Sequence, residues 1–318
     1  IIFLLFMAGL GVKFENIKRY TYSSSILALL GGLASFALGF LVGMLFFNNV
    51  IAALAIGVVL VSTSDGTMFL FLMKSGEFNT KIGRMMIAIT IADDIVGIVL
   101  FSFFSIFIKS QTFAINIAFT LLLTSIGLYF IMFTLGSRIM NNILNFVSRF
   151  MDENVLFTIP VAFAFFLAYV TDNLGLSIAA GAFLTGMSIA NSRYSESVIG
   201  PKVTIVGQGF LIPLFYATIG ATLVFMNLNI LLILAILAAA VFGKVIGIGI
   251  MSRFFGISGE KRRLVGIMMI PRGSENIAIA QIIMILGVIS LQVYTSIMVA
   301  MIVTILITPI LLKFFYKK

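Results

Sequence analysis

The chain has 318 residues, of which 61% are hydrophobic and 10% charged, with no cysteine, no histidine and a formal net charge of +9. A soluble domain carries about a quarter charged residues, so an ordinary water-soluble fold is excluded. Disulfides, thiolate catalysis and a histidine proton relay are excluded with it.

Apolar runs long enough to cross a bilayer follow one another from end to end. They fall at roughly 1–13, 23–46, 51–73, 85–108, 113–136, 155–171, 175–192, 203–226, 230–252, 264–286 and 291–312. None shows the short apolar–polar alternation of a membrane β-barrel, so the predicted class is an all-α polytopic membrane protein. The first run begins inside apolar sequence with no Met, no basic stretch and no cleavage site, which predicts a truncated N-terminus and not a signal peptide. The third run is interrupted by "VSTSDGT" (61–67), a cluster of hydroxyls with Asp65 and Gly66. The fourth holds Asp93 and Asp94, the ninth Lys244, and the tenth "PRGSEN" (271–276), with Arg272 and Glu275.

Alternate loops hold all but three of the 20 basic residues. This is a strong positive-inside asymmetry; it predicts a cytoplasmic C-terminus in a prokaryotic-type plasma membrane. It also accounts for the surplus positive charge as solvated loops on the inner face, with no nucleic-acid partner.

Asp65, Asp94, Lys244, Arg272 and Glu275 each lie nine to twelve residues from the nearest cytoplasmic basic residue. At the helical rise this is about 13–18 Å, near the midplane. Charge at that depth costs several kcal/mol and marks function by default. Backbone freed by the two polar breaks is tolerated there only when it is buried in protein or lines a wet cavity. The two broken runs point in opposite directions, and runs 23–108 and 230–312 form two triplets of opposite orientation with the broken member in the middle. That is the inverted-repeat design of secondary transporters. Half-helix ends carry partial charges, and Asp65, Arg272 and Glu275 are read as compensating them in preference to binding an ion directly.

A carboxylate in a partly desolvated cavity takes a proton or a hard alkali cation at the same oxygens. Adjacent residues are about 100° apart around a helix, so Asp93 and Asp94 cannot share one role: one faces the cavity and the other faces Lys244. A static Asp–Lys salt bridge is the competing reading of that pair.

The stretches "TIADDIVGIVL", "GLSIAAGAFLTGMSIA" (175–190), "IPLFYATIGATL" (212–223), "FGKVIGI" and "MIPRGSENIAIA" resemble the cation–proton antiporters, most closely the electrogenic sodium–proton branch of the NapA and NhaA type. The resemblance covers essentially the whole chain. It implies that Asp94 carries the transported Na⁺ or the proton, that Asp93 partners Lys244, and that Thr63 and Ser64 line the site. It further implies a core domain in two parts, 23–108 and 230–318, and a dimerisation domain made of 1–22 with 109–229. The resemblance also implies that the core moves elevator-fashion within a homodimer. The expected activity is exchange of Na⁺ or Li⁺ for H⁺, with no cofactor and no chemical catalysis. Asp65 departs from this branch and is similar to the Thr-Asp-Pro of the electroneutral one, although no Pro follows. Potassium–proton exchange and an ion channel are the alternatives. An intramembrane aspartyl protease needs two aspartates on facing helices, one of them in Gly-x-Gly-Asp, a motif this sequence lacks.

Overall fold

The structure is a computed structural model and describes residues 2–11, 21–64, 67–68, 71–72, 75–77, 80–110, 127, 131, 135–173, 178–226, 228–257 and 259–315. The described residues are helical, with no strand among them. In chain order the helices are α1 (Ile2–Gly11), α2 (Thr21–Phe47), α3 (Val50–Val59), α4 (Lys81–Ser110), α5 (Ser137–Val147), α6 (Glu153–Asn173), α7 (Ile178–Ile189), α8 (Ser195–Thr222), α9 (Ile230–Phe255), α10 (Gly259–Met268), α11 (Ser274–Ile285) and α12 (Leu291–Phe315). Segments Tyr22–Phe47, Lys81–Ser105, Glu153–Asn173, Ser195–Thr222, Ile230–Phe255 and Leu291–Phe315 are long and apolar enough to cross a membrane.

The chain divides into two compact units. One takes residues 1–15 and 101–222, the other 16–100 and 223–318. In the first, α1 packs on α7 and α7 on α6, and Phe3, Phe6, Met140, Leu144 and Leu156 belong to its buried core. In the second, α2 packs on α3 and α9, and α9 packs on α12. Leu27, Met86, Ile89, Ile248, Leu264 and Met268 are central to that core.

Local chemistry sets the key ends. Asn48 takes φ of 47°, a left-handed conformation that asparagine tolerates, and so turns the chain between α2 and α3. The side chain of Asn49 then caps α3, accepting from the amides of Ile51 at 2.8 Å and Ala52 at 3.3 Å. Capping of this kind satisfies backbone donors that the helix itself leaves open. The two helices are pressed together: a Cβ on Gly43 would lie 2.3 Å from Ala53 Cα.

The apolar runs at 51–73 and 264–286 are each broken. Helix α3 stops at Val59, and residues 62–64 have no regular structure before helical residues resume at 67–68. Helix α10 stops at Met268 and α11 starts at Ser274. Two other features differ from the sequence reading. Residues 137–147, expected within a basic loop, form the amphipathic helix α5, which buries Met140, Leu144 and Val147 and leaves Arg138 exposed. An apolar face recurring every three to four residues suffices for such a helix, and a search for span-length runs passes over it. The run at 230–252, expected as plain helix, widens into π-helix over Val245–Ile250 and tightens into 3₁₀-helix over Met251–Phe255. The expected span at 113–136 falls largely outside the described residues.

Candidate ion-exchange site

The two breaks meet in the second unit. The amide of Ser64 donates to the carbonyl of Pro271 at 2.8 Å. The approach is close because residue 273 is glycine: a Cβ there would lie 2.8 Å from both Cβ and Oγ of Ser64.

Interrupting a helix leaves its last carbonyls without amide partners, and α10–α11 supply donors to those of α3. The Asn276 side-chain nitrogen donates to the carbonyls of Val59 at 2.8 Å and Ser62 at 3.0 Å. Its Oδ1 accepts from the amide of Gly273 at 3.0 Å. Arg272, fully buried, donates through Nη1 to the Ser62 carbonyl at 2.7 Å and through Nη2 to the Ala240 carbonyl at 2.8 Å and the Ser35 hydroxyl at 3.3 Å. The Arg272 amide is held by Thr304 Oγ1 at 3.1 Å. A permanent cation therefore sits where the end of α3 carries partial negative charge, and Glu275 lies in the first turn of α11, where the dipole is positive. Asp65 lies outside the described residues.

Asn276→Ala should cost about 1–3 kcal/mol, because it removes the donor to the Val59 carbonyl and the acceptor of the Gly273 amide, while the Ser62 carbonyl keeps Arg272. The loss is read as a lower melting temperature of the detergent-solubilised protein, whereas the exposed control Asn142→Ala should leave melting unchanged.

Beside this crossing stand the buried charges. Asp93, Asp94 and Lys244 are all essentially inaccessible to solvent. Lys244, the last residue before the π-helical turn of α9, donates to both carboxylate oxygens of Asp93, at 2.5 and 2.6 Å. Thr63, in the break after α3, donates to Asp93 Oδ2 at 2.8 Å and also lies 3.3 Å from the Met269 carbonyl, in the break after α10. Asp93 thus joins α4 to α9 and to both interruptions. Ser64 Oγ pairs with Thr67 Oγ1 at 2.8 Å. Asp94 follows on α4, about 100° further around the axis, and is 1% exposed.

Of the residues singled out in the sequence, Asp93, Lys244 and Thr63 are in direct contact, and Ser64 and Arg272 belong to the crossing beside them. Sequence reasoning missed Asn276, Ser35, Thr304 and the Met269 carbonyl as participants. Asn276 had a visible signal, a carboxamide inside an apolar run, whereas Ser35 and Thr304 look like ordinary small polar residues of packed helices.

A buried lysine–carboxylate pair beside two interrupted helices, within a bundle of span-length apolar segments, defines an integral membrane protein with a charged centre. The whole chain, residues 1–318, matches the family described as "Sodium/hydrogen exchanger, transmembrane", and the protein belongs to that family. Among its relatives is a Na(+)/H(+) antiporter of Enterococcus hirae, 28% identical, the alignment covering 100% of this chain and 83% of that protein. The Na(+)/H(+)-K(+) antiporter GerN of Bacillus cereus is 26% identical over 99% of this chain and 81% of its own length. A probable Na(+)/H(+) antiporter of Methanocaldococcus jannaschii is 27% identical over 98% and 81%.

Proposed function

We propose that this protein exchanges Na⁺ or Li⁺ for H⁺ across the membrane, with Asp94 as the carboxylate that takes cation and proton in turn. The observation that carries the reading is the Thr63–Asp93–Lys244 cluster at the meeting of two interrupted helices, in a chain of the sodium/hydrogen exchanger family. In this reading Asp93 pairs with Lys244 and Thr63, and Asp94, the next residue on α4, loads and unloads. Thr63 and Ser64 add hydroxyl oxygens, suitable ligands for a hard cation. When protonated, Asp94 has no net charge to hold Na⁺. When ionised, it attracts Na⁺ but carries no proton. Competition at one pair of oxygens is enough to couple the two fluxes, provided that only the loaded site changes sides.

Arg272, Glu275 and Asp65 act by balancing the helix ends at the crossing. The inverted triplets, 23–108 and 230–312, place those ends at mid-membrane. The core, 23–108 with 230–318, carries the site against a dimeric scaffold built from 1–22 and 109–229, and the C-terminus is cytoplasmic. Retention of both Asp93 and Lys244 supports electrogenic exchange. Potassium is the second reading, favoured by the name of the Bacillus cereus relative, a Na(+)/H(+)-K(+) antiporter.

Reconstituted vesicles with an imposed pH gradient decide between these readings. The expected result is a dissipation of the gradient that saturates with Na⁺ and Li⁺ and is much weaker with K⁺, and whose rate responds to a clamped potential. Equal or stronger dissipation with K⁺ selects the second reading. Cation flux without proton movement discards exchange altogether and makes the protein a channel.

A further inference from the structure

A cleft of about 660 Å³, lined by neither Asp93 nor Lys244, opens on the second unit between α9, α10 and α12. Its walls are aliphatic, aromatic or glycine, among them Val245, Ile250, Ile267 and Leu311. Its only charged lining residues are three arginines: Arg253 at the end of α9, and Arg262 and Arg263 in the first turns of α10. Arg263 reaches Glu260 only at 3.9 Å, with both side chains more than half exposed. Among the described residues, Arg253 and Arg262 form no ion pair.

The cleft has the dimensions of a lipid tail. From Arg253 back to Val241, twelve residues along α9, is about 18 Å at the helical rise, close to the depth of one leaflet of a hydrocarbon core about 30 Å thick. The apolar slot offers a water-soluble anion nothing beyond the three side chains at its mouth. A zwitterionic lipid brings its own cation to a cluster that already has three. An anionic headgroup instead supplies the missing negative charge, and arginine binds phosphate oxygens in bidentate fashion. Basic residues between transmembrane helices on the cytoplasmic side form sites of this kind.

We propose that this cleft binds one anionic phospholipid, with an acyl chain along Val245, Ile250, Ile267 and Leu311 and its phosphate on Arg253, Arg262 and Arg263. The tail lies against the π-helical turn that follows Lys244, so occupancy steadies the segment that presents the lysine.

The test uses the purified full chain in detergent, titrated with dioleoyl phosphatidylglycerol or dioleoyl phosphatidylcholine. Retained lipid is counted by native mass spectrometry, and melting is followed in parallel. The expected result is at least tenfold preferential retention of one phosphatidylglycerol, together with a raised melting temperature. The Arg253→Gln/Arg262→Gln/Arg263→Gln variant should lose that preference while melting like the wild type without lipid. Ile250→Trp, which fills an exposed part of the slot and leaves the charge unchanged, should lower retention of the lipid at least fivefold. The equal-charge control Lys81→Gln/Arg138→Gln/Arg149→Gln should keep the preference. Equal retention of the two lipids overturns the proposal, as does a control that loses as much as the cleft variant. The same thermal shift with inorganic phosphate alone also overturns it, since the arginines would then be a simple anion site.

Discussion

Asp94→Asn is expected to abolish exchange, bringing gradient dissipation in vesicles at least about 100-fold down, to the level of empty liposomes. The substitution is nearly isosteric at a position 1% exposed, so packing is kept while chemistry is removed. A carboxamide neither accepts a proton near neutral pH nor offers a cation net negative charge. Losing one charge-assisted ligand set in a desolvated site is worth several kcal/mol, and each 1.4 kcal/mol is tenfold in an equilibrium constant. Melting of the variant should stay within a few degrees of wild type, which separates loss of the site from loss of the fold. The intact protein should show an apparent KM for Na⁺ that rises in proportion to proton concentration on the acid side, as competition at shared oxygens requires. Residual exchange above a tenth of wild type in Asp94→Asn removes Asp94 from the cycle.

Lys244→Ala is expected to produce the largest loss of stability, about 3–5 kcal/mol, because truncating one partner leaves a buried carboxylate without its counter-charge. Lys244 donates to both oxygens of Asp93, and neither residue is accessible to water. Asp93→Asn should be costly for the same reason, from the cation's side. The informative measurement is the double variant Asp93→Asn/Lys244→Ala. Coupled groups do not add, so the pair removed together should destabilise less than the sum of the two single changes. Strict additivity in thermal melting would show that the 2.5 Å contact carries no coupling. In vesicles, Lys244→Ala should change the response to a clamped potential more than the choice among Na⁺, Li⁺ and K⁺.

Much of this architecture is legible in the residues because lipid is an unforgiving solvent. "VSTSDGT" and "PRGSEN" could not continue an apolar helix at mid-depth, and both helices do stop there, at Val59 and Met268. Lys244 had no plausible surroundings other than a carboxylate. The residues alone did not say which aspartate it faces: successive positions on α4 differ only by rotation, and the rotation of α4 is fixed by packing. In the folded chain it is Asp93. Asn276 was visible as a misplaced polar residue, but its task was not. The carbonyls it serves lie 214 and 217 positions away, a proximity that no local pattern encodes. The π-helical turn at Val245–Ile250 was equally silent, since an apolar run with two glycines reads the same whether wound at four or five residues. Helix α5 was hidden for the opposite reason. Its pattern is plain, but it is too short and too polar to register as a span.

The crossing itself has a consequence for how the protein meets changing acidity. Its fastenings are a main-chain bond from Ser64 to Pro271, a carboxamide on the carbonyls of Val59 and Ser62, and a guanidinium on Ser62 and Ala240. None of these groups gains or loses a proton near neutral pH. In the exchange proposed above, the carboxylate that trades protons is thus mounted beside fastenings that do not trade them. Acidification leaves these three ties in place.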